Sequence, residues 1–224
     1  YLSQVQSYNS EQIGEVLAWV GLPQLILIPL VPRLMRQFDL RWLCATGIVL
    51  FAASCFMNVH LSTDVSGPQF FWPNIIRALG QAIVITPLTA IAMARIARAD
   101  AGNASALLNM LRNLGGAVGT AMLQTIITKR EQFHSAIVGP SVTLNRPEVR
   151  ARLDQATNYF LSRGADPAYA QHQAVVQLGN VVRRQSLCMG FADTFAVLGV
   201  ALALAALAVA FTKRAAGPAP AGAH

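Results

Sequence analysis

Charged residues are scarce in this sequence. Only 12% of its 224 residues are Asp, Glu, Lys or Arg, whereas 54% are hydrophobic, and the mean hydropathy is +0.45. Ordinary soluble domains carry about 25% charged residues. The composition therefore excludes a typical soluble domain and predicts an all-α integral membrane protein.

Cysteine and the common catalytic motifs are also scarce or absent. Cys44, Cys55 and Cys188 lie in or beside apolar runs without ligand-like spacing, so we expect neither a disulfide framework nor a metal site. There is no GxxxxGK(S/T), no HExxH and no nucleophile with its base. The net charge of +7 is not gathered into a patch interleaved with aromatics. We therefore expect no enzyme, no cofactor and no nucleic-acid binding.

Long apolar runs are abundant instead. A helix of about 20 residues crosses a hydrocarbon core of about 30 Å. Five runs reach this length, at residues 12–32, 42–60, 71–96, 105–128 and 187–211. Residues 1–8 are interpreted as the exit of a truncated further span, and we expect the chain to be part of a longer protein. The predicted organisation is membrane helices over 1–128, an outer segment over 129–185, a last span over 186–212 and a disordered tail over 213–224.

Basic residues in the short loops predict the orientation, since such loops are usually cytoplasmic. Three loops or ends are basic, whereas the loop near Asp64 has no Lys or Arg and is expected outside. The C-terminus is then cytoplasmic. The basic positions are Arg33, Arg36 and Arg41; Arg95 and Arg98; Lys213 and Arg214.

The outer segment has helix signals of its own. Pro147 predicts the first turn of a helix that runs to about Arg163, and Gly164 predicts its end. Asp166 and Pro167 predict a second helix that reaches about Arg184. Two amphipathic helices at the membrane surface are expected, with a mobile polar loop as the alternative.

The run at 105–128 carries a polar stripe. Asn109, Arg112, Asn113, Gly116, Thr120 and Gln124 recur at spacings that place them on one side of a helix. Such stripes usually face a bundle interior or a water-filled cavity. Arg112 is either an anchor that snorkels to the cytoplasmic edge or a charge in a transport path. Gly115 and Gly119 form a GxxxG step, a weak signal for close helix packing.

Other polar or special residues lie inside the predicted spans. Arg77 and Gln81 share one face of the third span, and Gln24 is the uncharged polar residue near the middle of the first. Pro23 and Pro87 predict bent helices. Asp193, about two turns into the last span, is either a proton site or a solvated interfacial carboxylate. For Glu15, near the outer start of the first span, we favour solvation.

Several stretches in this order resemble the fourteen-span drug–proton antiporters of the major facilitator superfamily, the EmrB/QacA type. They include YLSQVQSYNSEQIG, FFWPNIIRALGQAIVITPLT and, most specific, SALLNMLRNLGGAVGTA. The last is similar to the family's run S-x-L-x-N-x-x-R-x-x-G-x-x-x-G-x-A. The resemblance covers nearly the whole chain up to about Phe211 and implies the C-terminal helical bundle of such a transporter, with about five transmembrane helices and a helical periplasmic segment.

The resemblance also covers a cytoplasmic loop that departs from the family's pattern. The stretch PRLMRQFDLR, with Arg33, Arg36, Asp39 and Arg41, lies where the family has a G-x-L-a-D-r-x-G-r-r loop. Here Pro32 replaces the glycine, and Arg36 stands where the first acid falls. The gating interaction of that acid is therefore not expected in this half.

The predicted function is proton-coupled export of drugs or other amphipathic compounds across the bacterial inner membrane, with a role in antibiotic resistance. The expected pathway residues are Arg112, Asn109, Asn113, Gln81, Gln24, Arg77 and Asp193. The energy source is the proton gradient. Expected partners are the N-terminal half of the same chain, the bilayer and a periplasmic adaptor with its outer-membrane channel. The alternatives are a uniporter or importer of a small polar solute and a scaffold subunit that does not transport.

Overall fold

The computed structural model describes residues 1–94, 96–143 and 145–211. These residues form seven α-helices and no strand. Short 3₁₀ turns and loops join the helices. The helices are α1 Ser10–Leu27, α2 Val31–Gln37, α3 Leu40–Met57, α4 Phe71–Met93, α5 Ala101–Val138, α6 Pro147–Ser162 and α7 Pro167–Ala210.

The first predicted span is segmented, as its prolines indicate. A capping box between Asn9 and Gln12 begins α1, which contains Pro23. A 3₁₀ turn at Ile28–Leu30 then leads into α2. Proline accounts for the change because it donates no backbone hydrogen bond. Residues 1–8, predicted as the exit of a span, form turns. The Tyr1 hydroxyl donates to the Ser62 and Val65 carbonyls at 2.7 and 2.9 Å.

Helices α3, α4 and α7 form the packed centre of the structure. The buried side chains of Cys44, Ile48 and Ala206 lie at its core. Two glycines let α3 and α4 approach closely: a Cβ added to Gly80 would lie 2.6 Å from the Gly47 carbonyl oxygen. Small residues permit such backbone contact, which supplies packing energy where the lipid is as apolar as the side chains.

Four helical segments are long and apolar enough to cross a membrane in the described part of the chain. They are Ser10–Gln37, Leu40–Met57, Gly67–Met93 and Pro167–Ala210. The run at 105–128, predicted as a fifth span, lies inside the 38-residue helix α5 but is not one of these four. Its polar stripe explains the difference, because Asn and Arg lower the hydropathy of a helix that is otherwise long enough.

The outer segment is helical, but its second helix does not end where we predicted. Helix α6 spans Pro147–Ser162, and Gly164 follows it with a φ of +83°. Asp166 caps α7, which continues past Arg184 through the last span as one helix of 44 residues. The predicted end near Arg184 is therefore wrong, because no glycine or proline interrupts the backbone there.

Two predictions concern residues outside the described part of the chain. The tail at 213–224, with Lys213 and Arg214, and the loop residue Arg95 lie there. The division of the chain into four segments stays a prediction.

Candidate functional site

The polar stripe of α5 lies on the surface of the bundle. Asn109, Arg112 and Asn113 are all exposed, and α5 contains no buried residue among those described. The Arg112 guanidinium donates to the Thr89 hydroxyl of α4 at 3.1 Å. Thr89 in turn donates to the Ile85 carbonyl at 2.9 Å. The charged Arg112 side chain is thereby tied to a neighbouring helix through one hydrogen bond.

Two more of the predicted pathway residues meet in the structure. Gln24 on α1 donates to the Gln81 side-chain oxygen on α4 at 3.0 Å, and both residues are partly buried. They are 57 positions apart, so only helix packing brings them together. Among the described residues, the amide pair is one of two side-chain hydrogen bonds between these helices, since Asn74 on α4 also donates to the Val16 carbonyl on α1.

Replacing either Gln24 or Gln81 by leucine is expected to weaken the contact between α1 and α4, because the remaining amide loses its partner. Interhelical hydrogen bonds in membranes contribute about 0.6 kcal/mol on average. A double-mutant cycle on Gln24→Leu and Gln81→Leu should give a coupling of about this size in detergent unfolding. Strictly additive single effects would contradict the contact.

Asp193 on α7 pairs with His134 on α5. Its Oδ2 lies 2.8 Å from His134 Nε2 and 3.6 Å from Arg130 Nε. Both partners are on α5, which packs on α7 where a Cβ at Gly190 would lie 3.3 Å from the Ile127 carbonyl. No spacing signal could reveal the pair, since the acid and the imidazole are 59 residues apart.

Arg77 lies on α4, one turn before Gln81. Its guanidinium carbon is 5.8 Å from the centre of the Phe51 ring, and its Nε is buried without a hydrogen-bond partner. A cation over an aromatic face is stabilised by the ring quadrupole. Arg77 therefore lies apart from Arg112 and has a different environment.

Asp39, the acid in the loop between α2 and α3, has a structural role. Asp39 is the N-cap of α3: its carboxylate accepts from the Arg41 backbone N–H at 3.2 Å and lies 3.6 Å from Arg41 Nε. An acid at this position satisfies a free N–H and the positive end of the helix. Arg33 and Arg36 are exposed.

The glycines that allow close helix packing are not the ones that the GxxxG motif predicted. Nothing lies within 4 Å of a Cβ built on Gly115 or Gly119, so their close approach to another helix does not occur within the described residues. Gly47 and Gly80 make that approach instead. Pro87 is buried in α4, and Pro23 is half-buried in α1.

No group of three or more His, Cys, Asp and Glu residues lies close enough to hold a metal ion in residues 1–94, 96–143 and 145–211.

Comparison with known proteins gives the family. The model of the Major Facilitator Superfamily matches residues 1–141. The chain is 28% identical, over 96% of its length, to the colistin resistance protein EmrB of Acinetobacter baumannii. It is 28% identical over 88% to the multidrug export protein EmrB of Escherichia coli K12, and 24% identical over 84% to the fatty acid resistance protein FarB of Neisseria gonorrhoeae.

The chain spans about two fifths of the length of these relatives, 41%, 38% and 36% respectively. The family match covers more than half of this chain, and the resemblance seen in its motifs is confirmed. With four helices suited to crossing a bilayer, it is a membrane protein. The chain belongs to the major facilitator superfamily.

Proposed function

We propose that this chain is the C-terminal part of a transporter that exports drugs or other amphipathic compounds, driven by the proton gradient. The transporter lies in the bacterial inner membrane with its C-terminus in the cytoplasm. The names of its relatives, multidrug export and colistin resistance proteins, support efflux rather than an enzymatic reaction.

The observation that carries the proposal is the exposed polar side of α5. Asn109, Arg112 and Asn113 lie on a helix that has no buried residue in the described structure. Polar groups on a membrane helix must meet water or protein, because hydrocarbon offers them no partner. We propose that this side lines an aqueous path, to which the Gln24 and Gln81 pair on α1 and α4 also contributes.

The exposed polar side of α5 is also a suitable place for a second half-bundle to pack. In alternating access, two bundles rock around a site at their interface. The relatives are longer than this chain, so the additional residues can supply the other wall. The N-terminal half of the same protein is the proposed partner.

Proton coupling requires groups that change charge where helices meet. Asp193 with His134 is the proposed proton-responsive pair, since the two side chains lie 2.8 Å apart between α5 and α7. No bound cofactor is needed, because the gradient supplies the energy. The helical pair formed by α6 and the start of α7 is the proposed contact for a periplasmic adaptor and its outer-membrane channel.

The test is transport by the full-length protein in everted membrane vesicles. Export of a fluorescent drug should stop within the assay when a protonophore collapses the gradient. It should resume after the protonophore has been removed and a pH difference has been imposed. Export that continues without a gradient would contradict proton coupling. Vesicles that move no drug under either condition would contradict the export proposal.

A further inference from the structure

A half-open cavity lies among the helices, and no residue of α5 is part of its lining. Its volume is about 400 Å³, a size typical of small-molecule sites. The N-terminal stretch, α1, α3, α4 and α7 contribute residues to its walls. Its lining is mainly apolar and aromatic and includes Tyr1, Phe51, Phe70, Asn74, Arg77 and Phe195.

Arg77 is the one charged side chain among these lining residues, and none of them is Asp or Glu. Its Nε is buried without a hydrogen-bond partner, and its guanidinium carbon lies 5.8 Å from the centre of the Phe51 ring. Burial raises the pKa of the Tyr1 hydroxyl, so Tyr1 adds no negative charge at neutral pH. The cavity therefore favours negative charge in whatever enters it.

Ser54 and the two asparagines of the lining already have partners. Asn74 donates to the Val16 carbonyl at 2.9 Å, and Asn58 donates to the Ser54 carbonyl at 2.8 Å. The Ser54 hydroxyl donates to the Phe51 carbonyl at 2.7 Å. A ligand would consequently find its unpaired hydrogen-bond donor at the Arg77 guanidinium. A planar guanidinium binds a carboxylate through two parallel hydrogen bonds.

We propose that this cavity binds an amphipathic organic anion, with its acidic group on Arg77 and its apolar body between Phe51, Phe70 and Phe195. The inference rests on the proposed export function for its biological meaning, but the binding site stands on its own geometry. It assigns a substrate class, aromatic or aliphatic carboxylates, to a site distinct from the α5 stripe.

Binding to the purified full-length protein tests the site without transport. The probes are 2-naphthoate and its neutral analogue 2-naphthamide, measured by isothermal titration calorimetry. We expect naphthoate to bind more tightly than naphthamide, and Arg77→Gln to weaken naphthoate by about tenfold or more, the scale of one charge-assisted hydrogen bond. Naphthamide binding should be unchanged by the same substitution.

Two further variants separate the site from general effects. Arg150→Gln removes one positive charge from an exposed position on α6 and should leave both affinities unchanged. Arg77→Lys keeps the charge without the planar fork and should give an intermediate affinity, so it also serves if Arg77→Gln does not fold. Equal naphthoate binding by wild type, Arg77→Gln and Arg77→Lys would overturn the proposal. Selective binding that persists in a protein unable to export would keep this site and contradict the proposed function.

Discussion

Gly80→Ala is expected to lower the stability of the protein sharply. The added Cβ would lie 2.6 Å from the Gly47 carbonyl oxygen and 2.7 Å from the Phe51 backbone nitrogen. Both are backbone atoms, so α3 and α4 must move apart rather than rotate a side chain. We expect a loss at the upper end of the roughly 1–3 kcal/mol range for overpacked sites. The thermal melting of the full-length protein in detergent measures it.

Gly179→Ala is the matched control, since a Cβ there meets nothing within 4 Å. Alanine favours a helix over glycine by about 1 kcal/mol, so this variant should melt at the same temperature or slightly higher. If Gly80→Ala melts no lower than Gly179→Ala, the contact between α3 and α4 is contradicted. Gly115→Ala adds a second comparison: destabilisation there would show that the GxxxG step packs on a part of the protein beyond this chain.

Arg112→Ala is expected to reduce drug export by about tenfold or more, the scale of one charge-assisted hydrogen bond lost. The substitution removes a charge from the polar side of α5 and its bond to Thr89. Because Arg112 is exposed on a helix without buried residues, the protein should fold as well as the wild type. Export by vesicles with equal amounts of each variant measures the effect.

Three variants show how Arg112 acts. Thr89→Val removes only the acceptor, so it should reproduce Arg112→Ala if the bond between α4 and α5 is the important feature. Arg112→Lys keeps the charge but not the planar fork, so it should retain most export if the charge itself is important. Lys129→Ala, which removes an exposed charge near the other end of α5, should export like the wild type. Full export by Arg112→Ala would contradict a place in the pathway and favour a snorkelling anchor.

Local signals predicted much of the helical organisation. The spans predicted at 42–60 and 71–96 correspond to α3 and α4, because apolar runs bounded by polar loops define such helices. Pro147, Gly164 and Asp166 were read correctly as the start of α6, its end and the cap of α7. These features depend on neighbours within one turn, which the sequence alone contains.

The lengths of α5 and α7 were not predictable from such local signals. Helices α5 and α7 run on past the expected membrane edges, to Val138 and from Pro167. A change from apolar to polar residues marks a membrane boundary, but it does not interrupt backbone hydrogen bonds. Backbone features such as a glycine with positive φ can end a helix, as Gly164 does after α6, but α7 continues unbroken across the expected membrane edge.

The contacts between helices needed the tertiary structure. Gly115 and Gly119 match a packing motif, yet Gly47 and Gly80 make the close approach. The motif describes what a helix surface permits, whereas the neighbour that occupies the surface depends on how the whole chain folds. The same holds for Asp193, whose partner His134 comes from another helix.

The sequence by itself determined that this is a helical membrane protein with a polar stripe at Asn109, Arg112 and Asn113, since hydropathy and helical periodicity are local properties. The tertiary structure decided that Arg112 bonds to Thr89, that Gln24 meets Gln81 and that Arg77 faces an aromatic cavity. These pairings join residues far apart in the chain, and their energies arise only when the helices pack. A single sequence records which side chains are present, and helix packing selects the ones that meet.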